Sequence, residues 1–130
     1  MGDSQLLACA ACLKVNRVPS DRLDENPKCG ACGAALLDGQ PATLGTESFD
    51  RFIERSELPI LVDFWAPWCG PCRAMERGFN QAALKLKART RFARVNSDDY
   101  PDIASRYGIR SIPTLILFRA GQEVQRVNLS

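Results

Sequence analysis

Six cysteines carry nearly all the chemistry this sequence offers, and they fall in three Cys-x-x-Cys pairs: Cys9 with Cys12, Cys29 with Cys32, and Cys69 with Cys72. That spacing turns two sulfurs to one side of the chain, which suits either a shared metal ion or a reversible disulfide. Histidine is absent, which removes Ser-His-Asp and Cys-His nucleophiles, imidazole bases and imidazole metal ligands. Any catalysis must rest on Cys, Asp, Glu, Lys or Tyr.

The first two pairs are separated by sixteen residues, the spacing of a four-thiolate zinc site in which each turn offers two ligands to one tetrahedral ion. Gly33, directly after Cys32, frees the backbone to turn and aim its N–H groups at the sulfurs. A bound ion would also supply the folding free energy this apolar-poor segment lacks. Two disulfides, four spare thiols or an iron site are the other readings. Four thiolates and one divalent ion sum to −2 and would bring the formal charge of +2 close to zero. Lys14, Arg17, Arg22 and Lys28 then serve solubility and partial charge compensation rather than phosphate binding.

The third pair stands in Trp68-Cys69-Gly70-Pro71-Cys72. A strand precedes it and a helix follows, so Cys69 falls at a helix N-terminus, where unpaired N–H groups and the dipole favour a thiolate. Cys69 is the expected nucleophile and Cys72, one turn further in, the more buried resolving thiol. Pro71 suits the first turn because its missing N–H would have had no intrahelical partner. A purely structural pair is the alternative.

The elements that must place these groups are legible in the pattern of breakers and apolar residues. Residues 1 to about 40 hold Pro19, Asn26-Pro27, Gly30, Gly33 and Asp38-Gly39 and too little apolar periodicity to fold alone. We expect two units, residues 1–41 as a metal ribbon and 42–130 as a regular domain. Thr46 reads as an N-cap for a helix carrying Phe49, Phe52 and Ile53. Ile60 to Trp65 is apolar on both faces, as in a central parallel strand. Cys72 to Ala88 has a helical stripe of Met75, Phe79, Ala82, Ala83 and Leu86. Phe92 to Asn96 is the next strand, Pro101 and Gly108 bracket a short helix, and Thr114 to Phe118 pairs with Glu123 to Leu129 across Ala120-Gly121. The order predicts an α/β fold with a mixed sheet whose last strands are antiparallel.

Composition bounds the rest. With 45% apolar and 25% charged residues and a near-neutral balance, the chain reads as globular with no nucleic-acid partner. The longest apolar stretch, Leu58 to Trp68, is broken by Pro59, Asp63 and Pro67 and predicts no membrane span. Leu6-Leu7-Ala8-Cys9 looks like a lipoprotein cleavage box, but Asp3 and the lack of Lys, Arg or an apolar run before it make the match a chance one. The expected location is the cytoplasm, where thiols stay reduced unless they do redox work.

Trp68-Cys69-Gly70-Pro71-Cys72 within Val62-Asp63-Phe64-Trp65-Ala66-Pro67, and the later Tyr107-Gly108-Ile109-Arg110-Ser111-Ile112-Pro113-Thr114, resemble the two signatures of the thioredoxin family. The four-cysteine preface resembles its zinc-containing bacterial thioredoxin 2 subgroup. The resemblance implies a thioredoxin-like sheet flanked by helices behind a small zinc ribbon. It also implies reduction of disulfide-containing client proteins through a redox-active Cys69–Cys72 disulfide, recharged by an NADPH-dependent thioredoxin reductase. Asp63 stands in an otherwise apolar strand, costly for a carboxylate unless it works as a proton acceptor for Cys72 or is satisfied structurally. Pro113 matches the family's cis-proline, and Ile112 would offer its backbone to an extended substrate beside Trp68, Gly70 and Pro71. Trp65 is either part of this frame or core. Arg94 matches a position where the family often keeps a lysine near the buried carboxylate, and a solvated charge is the alternative.

Two departures stand beside these matches. The family usually has a proline five residues after the second cysteine, where this chain has Arg77 followed by Gly78. The sequence also stops at Asn128-Leu129-Ser130, where the family continues into a final helix, so a partly bare sheet face is expected, with low stability, self-association or cover by the N-terminal ribbon. From a different class, the rival to a reductase is a non-catalytic or redox-switched zinc-binding interaction module on a shortened thioredoxin-like body.

Overall fold

The computed structural model describes residues 3–129. Strands β1 (Ser4–Ala8) and β2 (Val15–Pro19) form an antiparallel ribbon, followed by a single 3-10 turn at Ser20–Arg22. The chain then enters β3 (Ala42–Leu44), α1 (Phe49–Glu54), β4 (Ile60–Trp65), α2 (Gly70–Lys85), β5 (Arg91–Asn96), α3 (Pro101–Arg106), β6 (Thr114–Arg119) and β7 (Gln122–Asn128). The large sheet has the order β3-β5-β4-β6-β7. β5 runs parallel to both β3 and β4, while β6 and β7 close the sheet antiparallel.

Because side chains alternate across a strand, β4 feeds two cores. Ile60, Val62 and Phe64 join Phe52 and Ile53 of α1, Ile103 of α3 and Ile116 and Phe118 of β6 on one face. Leu61 faces α2 with Phe79, Ala83, Phe92 and Leu115. Asp63 has the parity of Leu61, so its carboxylate lies on the α2 face.

Several sequence expectations shift at their edges. α1 begins after Ser48, not Thr46; the Thr46 hydroxyl instead donates to the Asp102 carboxylate at 3.0 Å and ties the loop between β3 and α1 to α3. α2 starts at Gly70 rather than Cys72, ends at Lys85 rather than Ala88, and is continuous through Arg77 and Gly78. The closing strand begins at Gln122. β7 is an edge strand exposed at every position, with Val124 and Val127 uncovered. The N-terminal segment does not bury its few apolar side chains alone: Leu7, Cys9, Val18, Cys29, Leu36 and Leu37 cluster with Leu58, which precedes β4.

Candidate functional site: a dithiol at a helix start and a four-thiol cluster

β4 ends at Trp65 and the chain turns through Ala66-Pro67-Trp68 into α2, whose N-cap is Cys69. Its Sγ accepts the Cys72 backbone N–H at 3.1 Å, so the sulfur takes up one of the donors a helix start leaves unpaired. Cys69 and Cys72 are joined as a disulfide. The expected contrast in exposure is small: Cys69 is 4% and Cys72 2% exposed. What separates the two sulfurs is the helix start, which Cys69 caps and Cys72 follows.

The surroundings bring the other expected residues together. The Ile112–Pro113 peptide is cis, and Cys69 Sγ lies 3.7 Å from the Ile112 carbonyl oxygen. Trp68 is 70% exposed, yet its indole is fixed, with Nε1 donating to Asp98 Oδ2 at 2.8 Å. A Cβ built at Gly70 would meet no atom within 4 Å. Internal packing therefore does not demand glycine there.

Asp63 is 1% exposed. In register across β5 stands Arg94, whose Nε is 3.9 Å from Asp63 Oδ2. Burial pushes the Asp63 carboxyl up to about 6, against the pull of Arg94 and with a small push from Glu76. Arg94 is thus no solvated charge: its guanidinium lies 4.6 Å from the centre of the Trp65 ring and its Nη1 donates to Glu76 Oε2 at 3.3 Å. Sequence reasoning missed Glu76; the signal was its place one turn after Cys72 on the stripe that includes Phe79 and Ala83.

The raised Asp63 carboxyl has a consequence for stability. The folded chain holds this proton more tightly than the unfolded chain does, so folding stability falls as pH rises from about 4 to about 6 and levels off above. Asp63→Asn removes that penalty. It is expected to raise the unfolding free energy at pH 8 by up to about 3 kcal/mol, with the gain fading toward pH 4, as urea titrations at several pH values would measure.

The other four cysteines also converge. The Sγ atoms of Cys9, Cys12, Cys29 and Cys32 all lie within 4.8 Å of one another, with Cys9 to Cys32 at 3.7 Å and Cys12 to Cys29 at 3.6 Å. A tetrahedral ion with thiolate bonds of about 2.3 Å has sulfur–sulfur edges of ~3.8 Å, so the set fits a metal. The backbone N–H groups of Ala11 and Ala31 donate to Cys9 Sγ at 3.3 Å and Cys29 Sγ at 3.4 Å. Asn16 Nδ2 adds a 3.5 Å contact to Cys29 Sγ. These donors favour thiolates, and the Asn16 amide leads the causes that hold the Cys29 thiol below its usual range. Gly33 has φ +80°, the left-handed turn its position after Cys32 called for.

Among the described residues, no helix is long and apolar enough to cross a membrane.

Two family models match the sequence: Thioredoxin over residues 40–129 and "Thioredoxin 2, N-terminal" over residues 8–34. Thioredoxin C-3 of Corynebacterium nephridii is 41% identical over 123 residues, covering 95% of this chain and 84% of that protein. Thioredoxin 1 of Nostoc sp. is 44% identical over 86 residues, covering 66% of this chain and 80% of its own. A mutant thioredoxin from Halobacterium salinarum NRC-1 superposes with a TM-score of 0.63 at 32% identity, over 70% of this chain and 79% of that one. Spinach chloroplast thioredoxin f shares the fold, with a TM-score of 0.67 at 22% identity over 71% of this chain and 77% of its own. With a helix-capping Cys-x-x-Cys disulfide beside a cis-proline, and a four-thiol cluster in front, this chain belongs to the thioredoxin family of thiol-disulfide oxidoreductases.

Proposed function

We propose that the protein reduces disulfides of client proteins with Cys69 as nucleophile, Cys72 as resolving thiol and Asp63 as proton acceptor. The observation that carries this reading is the capping position of Cys69, whose sulfur accepts the Cys72 N–H at 3.1 Å and so has a donor ready for thiolate charge. In the reduced protein, Cys69 thiolate attacks one client sulfur, forming a mixed disulfide and releasing the other client sulfur as thiolate. Cys72 passes its proton to Asp63 and attacks Cys69 Sγ, which restores the Cys69–Cys72 disulfide and releases the second client thiolate. The client gains two electrons, and an NADPH-dependent reductase returns two to the disulfide. Trp68, Gly70, Pro71, Ile112 and Pro113 form the surface that receives the client, with the Ile112 backbone as its extended-strand partner. Reductase-coupled NADPH consumption with a test disulfide is the direct assay. No turnover by a chain with its dithiol intact would favour a non-catalytic interaction module instead.

Residues 1–41 act as a zinc ribbon and 42–130 as the redox domain in this reading, working in the cytoplasm. Cys9, Cys12, Cys29 and Cys32 would hold one zinc ion, which as a filled four-thiolate site supplies folding energy rather than catalysis. Purified protein is expected to contain about one zinc per chain. Cys29→Ala should lose it while circular dichroism shows the thioredoxin-like domain still folded. Full metal occupancy in that variant would refute the ligand set.

A further inference from the structure

Arg94 and Asp63 do not form the pair their positions would allow. They are register partners on adjacent parallel strands, and a guanidinium beside a buried carboxylate ordinarily donates two parallel N–H bonds to it. Here the closest approach is Nε to Oδ2 at 3.9 Å. Asp63 Oδ1 and Arg94 Nε have no hydrogen-bond partner among the described residues. The guanidinium instead directs Nη1 to Glu76 Oε2 at 3.3 Å and stacks on Trp65. Glu76 lies on α2, with its side chain 47% exposed, on the same helix as Cys72.

We propose that Glu76 is a positioning residue for the dithiol chemistry: it draws the Arg94 guanidinium toward α2 and off Asp63, leaving the buried carboxylate without the hydrogen bonds that would quench it as a proton acceptor. The inference rests on the proton-accepting role of Asp63 proposed above. The charged groups acting on Asp63 are Arg94 from β5 and Glu76 from α2. From β6 its register partner is the apolar Leu115, and α2 contributes the titratable Cys72 when the disulfide is reduced. Neutralising Glu76 removes one negative charge near Asp63 and frees Arg94 to donate to it. Both changes favour the ionised carboxylate, so the titration of Asp63 moves to lower pH.

The test follows the Asp63 carboxyl carbon by NMR in the full oxidised chain, its signal assigned by loss in Asp63→Asn. Glu76→Gln should lower the titration midpoint by about half a pH unit or more, and the acid limb of disulfide reduction should move the same way. In an Arg94→Gln background the same change should move the midpoint less than half as far, because the shared cation is gone. An unmoved midpoint, or equal movement in both backgrounds, would overturn the proposal. Full reduction activity in Asp63→Asn would sink the role of Asp63 in turnover alone, while a shifted titration would still support the link through Arg94.

Discussion

Cys69→Ser is expected to lower disulfide reduction by about 10³-fold or more, whereas Cys72→Ser is expected to accumulate a mixed disulfide with its client. A serine hydroxyl at the helix cap is neither ionised near neutral pH nor able to leave as a sulfur does, so the first exchange has no nucleophile. With Cys72 replaced, the first exchange still proceeds and the second cannot, which strands the client on Cys69. Near-equal burial of the two cysteines means that accessibility cannot assign these roles. The assignment rests on the helix start, where the Cys69 sulfur already takes the Cys72 N–H. Mass spectrometry of each variant after exposure to a disulfide client reads the outcome directly. Trapping by Cys69→Ser would give the nucleophilic role to Cys72.

Local pattern made much of this site legible. Ile60 to Trp65 could only be a two-faced central strand, and an acidic residue in its middle had to be buried, as Asp63 is. Cysteines spaced for one turn told where sulfurs would meet, since a Cys-x-x-Cys turn is local. What escaped was set by contacts far apart in sequence. Arg94 could be a solvated charge until the strand order placed it opposite Asp63 and α2 brought Glu76 above it. Thr46 looked like a cap because hydroxyls favour helix starts, but Asp102 of α3, distant in the chain, offered its hydroxyl a different partner. The sequence pattern starts this strand at Phe92, whereas β5 begins at Arg91, and nothing nearby in sequence reports that the ribbon folds back over that residue.

Arg91 is where that ribbon is fastened, and its loss is the second large effect expected. Its guanidinium is buried, with the residue 6% exposed. It donates to the Ala8 carbonyl at 2.7 Å, the Ser56 hydroxyl at 3.0 Å and the Leu36 carbonyl at 3.1 Å, and it stacks 4.2 Å from the centre of the Phe52 ring. Ala8 precedes Cys9 and Leu36 follows Cys32, so one side chain of β5 grips both ends of the cysteine-bearing segment. Burial lowers its ionisation to about 10, which leaves it charged and a full donor at neutral pH. Arg91→Ala strands two buried carbonyls and opens a void, a combined cost of about 2–4 kcal/mol. Lysine, a point donor without the fork, should recover only part of that. Hydrogen exchange at the backbone amides of β1 and β2 should accelerate in Arg91→Ala. Metal content should persist, because the four sulfurs belong to the ribbon's own turns. Unfolding free energy within about 0.5 kcal/mol of the parent, a margin typical of surface changes, together with unchanged exchange at β1 would show that the ribbon is held by its apolar contacts around Leu58 instead.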